Sequence, residues 1–247
     1  MQNFIISHSG IRGRVGETLT WKEAYKAFYL FYHLYLKDKT PLLILGKDPK
    51  SSGEELLEGI MGYAKKTGIK IKFLGITSLP VVEWAVKHFR AGGGVMVTAS
   101  HNPIPWNGLK FISSWDDGAS LLPPDLMKSL REEWEKLKGS INPEKYPLSK
   151  EEKNYLEVYF QEMWEIVGNT IDKVSGKKGL GKDILSSLNK LPFTVILDAT
   201  CEEGAKIAGG FLKFIGIKNI KVINRVPIEK SQRRCNQWET NKFQQDT

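Results

Sequence analysis

Short apolar runs alternate with helical stretches through the first half of this chain, and that alternation restricts its fold more than any other feature. Residues 3–15 begin as a short strand and pass into a glycine-punctuated loop. Thr20-Trp21-Lys22-Glu23 is a capping box, in which a threonine hydroxyl and a glutamate three residues on satisfy each other's backbone donors. The helix it starts carries Tyr25, Phe28, Leu30, Phe31, Leu34 and Tyr35, an aromatic stripe with the spacing of core material. Residues 41–45 form a continuous apolar strand with a turn at 46–50. Ser52-Gly53-Glu54-Glu55 caps a helix running to about Lys66 and ended by Gly68. A strand at 69–74, a helix at 81–89 and a strand at 95–97 complete the order βαβαβαβ. That order predicts an α/β fold: a mixed, largely parallel sheet with helices on both faces.

The last of those strands leads into the most informative segment. Gly92-Gly93-Gly94 frees the backbone, Val95-Met96-Val97 makes a short buried strand, and Thr98-Ala99-Ser100-His101-Asn102-Pro103 follows as a polar loop. Pro103 and Pro105 stiffen it and push Asn102 and Ile104 towards extended conformations. Residues 109–112 then read as another strand. In open α/β sheets ligands sit beyond the carboxyl ends of strands, so the loop presents a hydroxyl, an imidazole and an amide where chemistry usually occurs. A serine beside a histidine in a loop is by itself more often turn chemistry than catalysis.

Thr-Ala-Ser-His-Asn-Pro followed by Asn107-Gly108-Leu109-Lys110 closely resembles the phosphoserine loop of the phosphoglucomutase/phosphomannomutase family, the α-D-phosphohexomutases. The resemblance implies that Ser100 carries a transferable phosphate. Ser9-Gly10-Ile11-Arg12-Gly13 is similar to the family's opening Ser-Gly-x-Arg-Gly segment, whose serine and arginine reach the phosphate, which places Ser9 and Arg12 beside it. Glycines let a backbone approach an anion, and a guanidinium supplies paired donors to its oxygens. Asn102 joins them as a phosphate-binding candidate, while His101 and Lys110 are the candidates for handling a proton or holding the phosphate. Where the family usually has Gly-Arg-Asp-x-Arg, this chain has Gly46-Lys47-Asp48-Pro49-Lys50, which keeps the charge without arginine's planar fork.

By the same resemblance the chain is a phosphosugar mutase, interconverting hexose 1-phosphate and hexose 6-phosphate through phospho-Ser100 and a hexose 1,6-bisphosphate. Mg2+ is the implied cofactor, held through the Ser100 phosphate. The Asp-Gly-Asp-x-Asp-Arg metal loop of the family's second domain is absent from the sequence, as are its sugar loop and distal phosphate loop. The chain is therefore expected to be an N-terminal half, inactive as a mutase alone and wanting a C-terminal half as partner. The alternative is a non-catalytic phosphate- or partner-binding remnant of such an enzyme.

Asp116-Asp117-Gly118 reads as a turn, residues 123–137 as a helix, and the turn formers of 139–147 as a domain boundary. Ser149-Lys150-Glu151-Glu152 reads as a second capping box, opening an amphipathic helix through Tyr155, Val158, Tyr159, Met163 and Ile166. Residues 168–192 are Gly/Lys-rich and expected to be partly looped. A buried strand at 193–197, a helix at 202–214 and a strand at 220–223 make a βαβ unit that resembles the start of the family's second domain. The expected organisation is a first domain at 1–138, an incomplete second α/β domain of the same kind at 149–224, and an unstructured or aberrant tail at 225–247.

Composition narrows the function classes. Cys201 and Cys235 are the only cysteines, which leaves no disulfide framework and no cysteine zinc site. No apolar run has the length of a membrane span, so a cytoplasmic protein without a membrane partner is expected. The net charge of +8 is scattered among acids, with no basic tract or nucleic-acid motif; it suits anionic phosphosugars too and by itself does not decide between the two, and no nucleic-acid partner is expected.

Overall fold

The computed structural model describes residues 4–100, 102–116, 118–137, 141–190, 192–199 and 202–223. By its contacts the chain divides into two units, Met1–Glu152 and Lys153–Thr247.

The first unit is built on a seven-stranded sheet in the order β1-β2-β6-β5-β3-β4, with β7 also paired to β6. Its strands are β1 (Phe4–Ser7), β2 (Gly10–Arg14), β3 (Leu42–Lys47), β4 (Lys70–Ile76), β5 (Gly93–Val97), β6 (Trp106–Trp115) and β7 (Gly118–Leu121). Its helices are α1 (Trp21–Leu34), α2 (Ser52–Thr67), α3 (Leu79–His88) and α4 (Pro124–Lys136). The mixed α/β architecture expected from the sequence is present, with parallel pairing confined to β4-β3-β5. Those strands are joined through α2 and α3, and helical crossovers make neighbours parallel. No helix separates β1 from β2 or β5 from β6, and these pairs are antiparallel, as are β2 with β6 and β6 with β7.

Strand alternation divides the burial between two faces. Leu43, Leu45, Val95, Val97, Leu109 and Phe111 join the main core with Phe28 and Phe31 of α1, Leu56, Leu57 and Ile60 of α2, and Leu130 of α4. On the other face α3 lies against Gly46 and Gly94, with Val82 and Val86 over them. Thr20 forms the expected capping box: Glu23 Oε2 accepts its N–H at 2.8 Å and its hydroxyl at 2.6 Å.

Several elements differ from their sequence expectation. Residues 10–14, expected as loop, pair with β6 as strand β2. Strand β6 starts at Trp106 rather than 109, and β7 follows the turn at Asp116. The Ser149 capping box does not form. Glu152 N–H instead donates to Phe73 O at 2.6 Å and its carboxylate pairs with Lys72 at 2.8 Å, so residues up to 152 belong to the first unit.

In the second unit α5 (Tyr155–Ser175) begins after Asn154, and α6 (Leu180–Ser187) fills much of the stretch expected as loop. Asp172 organises the bend between them, accepting the Gly179 and Gly181 N–H groups at 2.6 Å each. Strands β8 (Val195–Asp198) and β9 (Ile220–Ile223) are parallel and joined through α7 (Glu202–Phe214), as the βαβ reading requires. The expected tail, 225–247, lies outside the described residues. Among the described residues no helix is long and apolar enough to cross a membrane.

Candidate active site

Strands β3 and β5 run parallel, so the segments after them leave the sheet at the same end. That end is where ligands of open α/β sheets collect. Two backbone bonds fix the neighbourhood: Asp48 N–H donates to Val97 O, and Thr98 N–H donates to Gly108 O, each at 2.9 Å. Ser100 follows with φ of 55°, in the left-handed region that side-chain-bearing residues seldom adopt. Its N–H donates to Thr98 Oγ1 at 2.9 Å, and its side chain is exposed.

Arg12 reaches this end from the neighbouring strand. It pairs with Gly108 across β2 and β6. A Cβ on Gly108 would lie 2.9 Å from Thr98 O and 3.2 Å from Arg12 Cγ, and would collide with Ile11 O. Glycine at 108 is thus what lets the Arg12 stem and the base of the Ser100 loop converge. Arg12 Nη2 also donates to Ser9 Oγ at 3.5 Å, a long bond, in the turn between β1 and β2. Ser9 Oγ in turn lies 3.1 Å from Ser7 Oγ.

Lys110 stands two residues beyond Gly108 and so on the same face as Arg12, paired with Met96. Burial lowers its pKa below the usual lysine value and the Arg12 charge lowers it further, while Glu83 of α3 pulls the other way. Glu83 has its own pKa raised by burial, against the charge of Lys110 and a hydrogen bond from the Leu121 backbone. Asn102 is held by its backbone: its N–H donates to Ala99 O at 3.2 Å and its carbonyl accepts from Lys50. His101 lies outside the described residues. The structure thus brings the Arg12 stem and the base of the Ser100 loop together over Gly108, with Lys110 on the same face as Arg12 and Ser9 at the Arg12 guanidinium. A cationic pair on one face can neutralise an anion.

Four residues in this region had no role from sequence. Lys50 Nζ donates to Asn102 O at 2.9 Å and to Trp106 O at 3.0 Å. Asp48 is buried, accepts the Lys50 N–H at 3.1 Å and hydrogen-bonds Thr98; burial raises its pKa against the pull of these bonds and of the Lys50 and Lys47 charges. Asn107, fully buried, donates to Ser52 Oγ at 2.9 Å and accepts the Gly108 N–H at 2.8 Å, tying β6 to the start of α2. Glu83 completes the set. The signal available in sequence was the placement of residues 46–50 after a strand parallel to β5.

The Mg2+ implied on the Ser100 phosphate needs further oxygen ligands. Among the described residues no group of three or more His, Cys, Asp or Glu side chains could hold a metal ion. Asp48, the carboxylate under the loop, is committed to Lys50 and Thr98. These residues do not fit a metal ion by themselves.

Residues 4–138 match the model of the phosphoglucomutase/phosphomannomutase α/β/α domain I. A phosphoglucosamine mutase from Prochlorococcus marinus strain MIT 9215 is 29% identical over 222 residues, covering 89% of this chain and 44% of that protein. A phosphoglucomutase/phosphomannomutase from Thermococcus kodakarensis is 36% identical over 105 residues, 42% of this chain and 23% of the relative. The chain thus spans less than half the length of these relatives. Among solved structures, a protein from Thermus thermophilus provisionally named a phosphomannomutase superposes with a TM-score of 0.71 at 21% identity, over 91% of this chain and 46% of that one. The open form of parafusin, a phosphoglucomutase from Paramecium, superposes with a TM-score of 0.63 at 18% identity, over 92% and 44% respectively. At those identities the two structures speak for the fold alone.

Proposed function

The chain belongs to the phosphoglucomutase/phosphomannomutase family, whose domain I it carries at residues 4–138, and from that premise we propose that it supplies the phosphoserine step of a phosphosugar mutase. In this reading phospho-Ser100 gives its phosphoryl group to a hydroxyl of a hexose phosphate. The Oγ–P bond breaks, a sugar O–P bond forms, and the hydroxyl proton leaves. The bisphosphate turns over and returns the phosphoryl group of its other end to Ser100.

Such transfers depend on positioning and on neutralising the charge of the phosphoryl oxygens. Arg12 and Lys110 are suited to that task, with Ser9 and the Asn102 segment completing the cradle. The depressed pKa of Lys110 makes its neutral form more accessible than an ordinary lysine's, which qualifies it to take the departing proton. His101 keeps its place as a second proton-handling candidate. Magnesium, on which the family generally depends, would need carboxylates beyond those described, and its use here belongs to the proposal. So does the mutase activity of the whole protein, along with the identity of its hexose.

The observation that carries this reading is the convergence of Arg12 and the base of the Ser100 loop over Gly108. The test is incubation of the 247-residue chain with glucose 1,6-bisphosphate labelled in its phosphates, followed by peptide mapping. Label on Ser100, lost in Ser100→Ala, is expected. An unlabelled wild-type chain, or label only on other residues, would overturn the assignment.

A further inference from the structure

The Ser100 loop is anchored from beneath by a group the mechanism above does not use. Lys50 sits in the turn after β3, half-buried, and its ammonium spans the loop from one side to the other. One donor goes to Asn102 O at 2.9 Å and another to Trp106 O at 3.0 Å. Between these carbonyls lie Pro103, Ile104 and Pro105, closed further by Trp106 N–H donating to Pro103 O at 2.9 Å. Asp48 fixes the lysine's own backbone by accepting its N–H at 3.1 Å, and through Thr98 reaches the acceptor of the Ser100 N–H. A serine at φ of 55° persists only where its surroundings over-determine it. Here the bonds from Lys50 and Asp48 lie on both sides of that residue.

We propose that Lys50, seated by Asp48, is the positioning residue of the Ser100 loop, holding Asn102 and Trp106 so that the Ser100 hydroxyl keeps one aim. It need not touch substrate. With two of its donors committed to main-chain carbonyls, the ammonium acts as a brace rather than as an anion receptor. An arginine can serve the same two carbonyls with its fork, whereas a methionine of similar length can serve neither.

This inference rests on the reading of Ser100 as phosphoryl acceptor, and its test separates the two. On the full chain, Lys50→Met and Lys50→Arg are compared with wild type by two measurements. The first is the rate of Ser100 phosphorylation as glucose 1,6-bisphosphate is varied; the second is amide hydrogen exchange across residues 99–106. Lys50→Met is expected to slow phosphorylation at saturation by roughly ten- to hundredfold, the scale of lost alignment, with the half-saturating concentration little changed. Exchange should quicken in 99–106 and not in β3 or β5, and Lys50→Arg should restore both readouts. Unchanged exchange and rate in Lys50→Met would overturn the brace. So would a raised half-saturating concentration at an unchanged limiting rate, which would make Lys50 a substrate ligand. If wild type takes no phosphate, the acceptor reading fails while the exchange comparison still decides the brace. If Lys50→Met loses protection throughout the sheet, Asp48→Asn replaces it, with the same local loosening expected and its absence counting against the proposal.

Discussion

Single residues at this sheet end act through the charges that face them, and Lys110 is the most exposed to that influence. Its pKa is lowered first by burial and then by Arg12, with Glu83 opposing. The signs follow directly: removing a positive neighbour stabilises the ammonium, and removing a negative one destabilises it. Arg12→Met should therefore move the Lys110 titration up towards 10.5, the ordinary value, and Glu83→Gln should move it further down. Titration of the Lys110 side chain by heteronuclear NMR checks both. No move, or a move of the opposite sign, in either variant would show that Arg12 and Glu83 do not act on Lys110 through their charges. Ser100, Arg12 and Lys110 could be nominated from sequence because short motifs surround them. Lys50 and Asp48 were harder to read, since their partners are main-chain carbonyls and a threonine about fifty residues away, and no local spacing encodes such bonds. The lysine at 50 read as a charge with a lost fork, when its contacts are those of a loop brace.

Elements were legible where one local signal governed them and obscure where tertiary pairing competed. The α1 capping box formed as read, with Glu23 accepting both the N–H and the hydroxyl of Thr20. The box at Ser149 did not, because Glu152 is taken by Phe73 and Lys72. The start of β6 was hidden because Asn107 and Gly108 read as the end of the polar loop; glycine is there because Arg12 and Thr98 crowd the position. Similar crowding governs the seat of α3. A Cβ on Gly94 would lie 2.8 Å from Val86 Cγ2, and one on Gly46 would lie 2.6 Å from Thr77 Cγ2 and 2.7 Å from Val82 Cγ2. In an open strand, Gly→Ala would stabilise by roughly 0.5–1 kcal/mol. Here each substitution forces α3 away from the sheet, an overpacking that costs about 1–3 kcal/mol. Gly94→Ala and Gly46→Ala should both lower the midpoint of denaturant unfolding. A rise in either would mean that α3 can shift without loss.

At the scale of the molecule the two units differ in what they bury. The main core lies wholly within the first: Phe28, Phe31, Leu43, Leu45, Leu56, Leu57, Val95 and Leu109 are each at 0% exposure, drawn from both helices and sheet. The second unit offers Tyr155, Phe160, Leu185 and Ile217 at 5–7%, while Ile196 is 65% and Val174 83% exposed. Its described sheet is one parallel pair, and parallel strands are ordinarily covered on both faces. Two strands seldom hold together without a sheet or a layer to complete them. The elements β8, α7 and β9 were legible as a βαβ layout, yet layout says nothing of how much surface the unit conceals. Produced separately, Met1–Glu152 should therefore unfold in urea in one cooperative transition and keep the slow amide exchange that β3, β5 and β6 show in the full chain. Lys153–Thr247 should unfold over a broad range, bind an apolar dye in the absence of denaturant, and lose near-ultraviolet dichroism while retaining helix signal. A sharp transition in the second fragment would show that α5, α6 and α7 suffice as its core. A broad one in the first would mean that the sheet carrying Ser100 draws its stability from residues beyond 152.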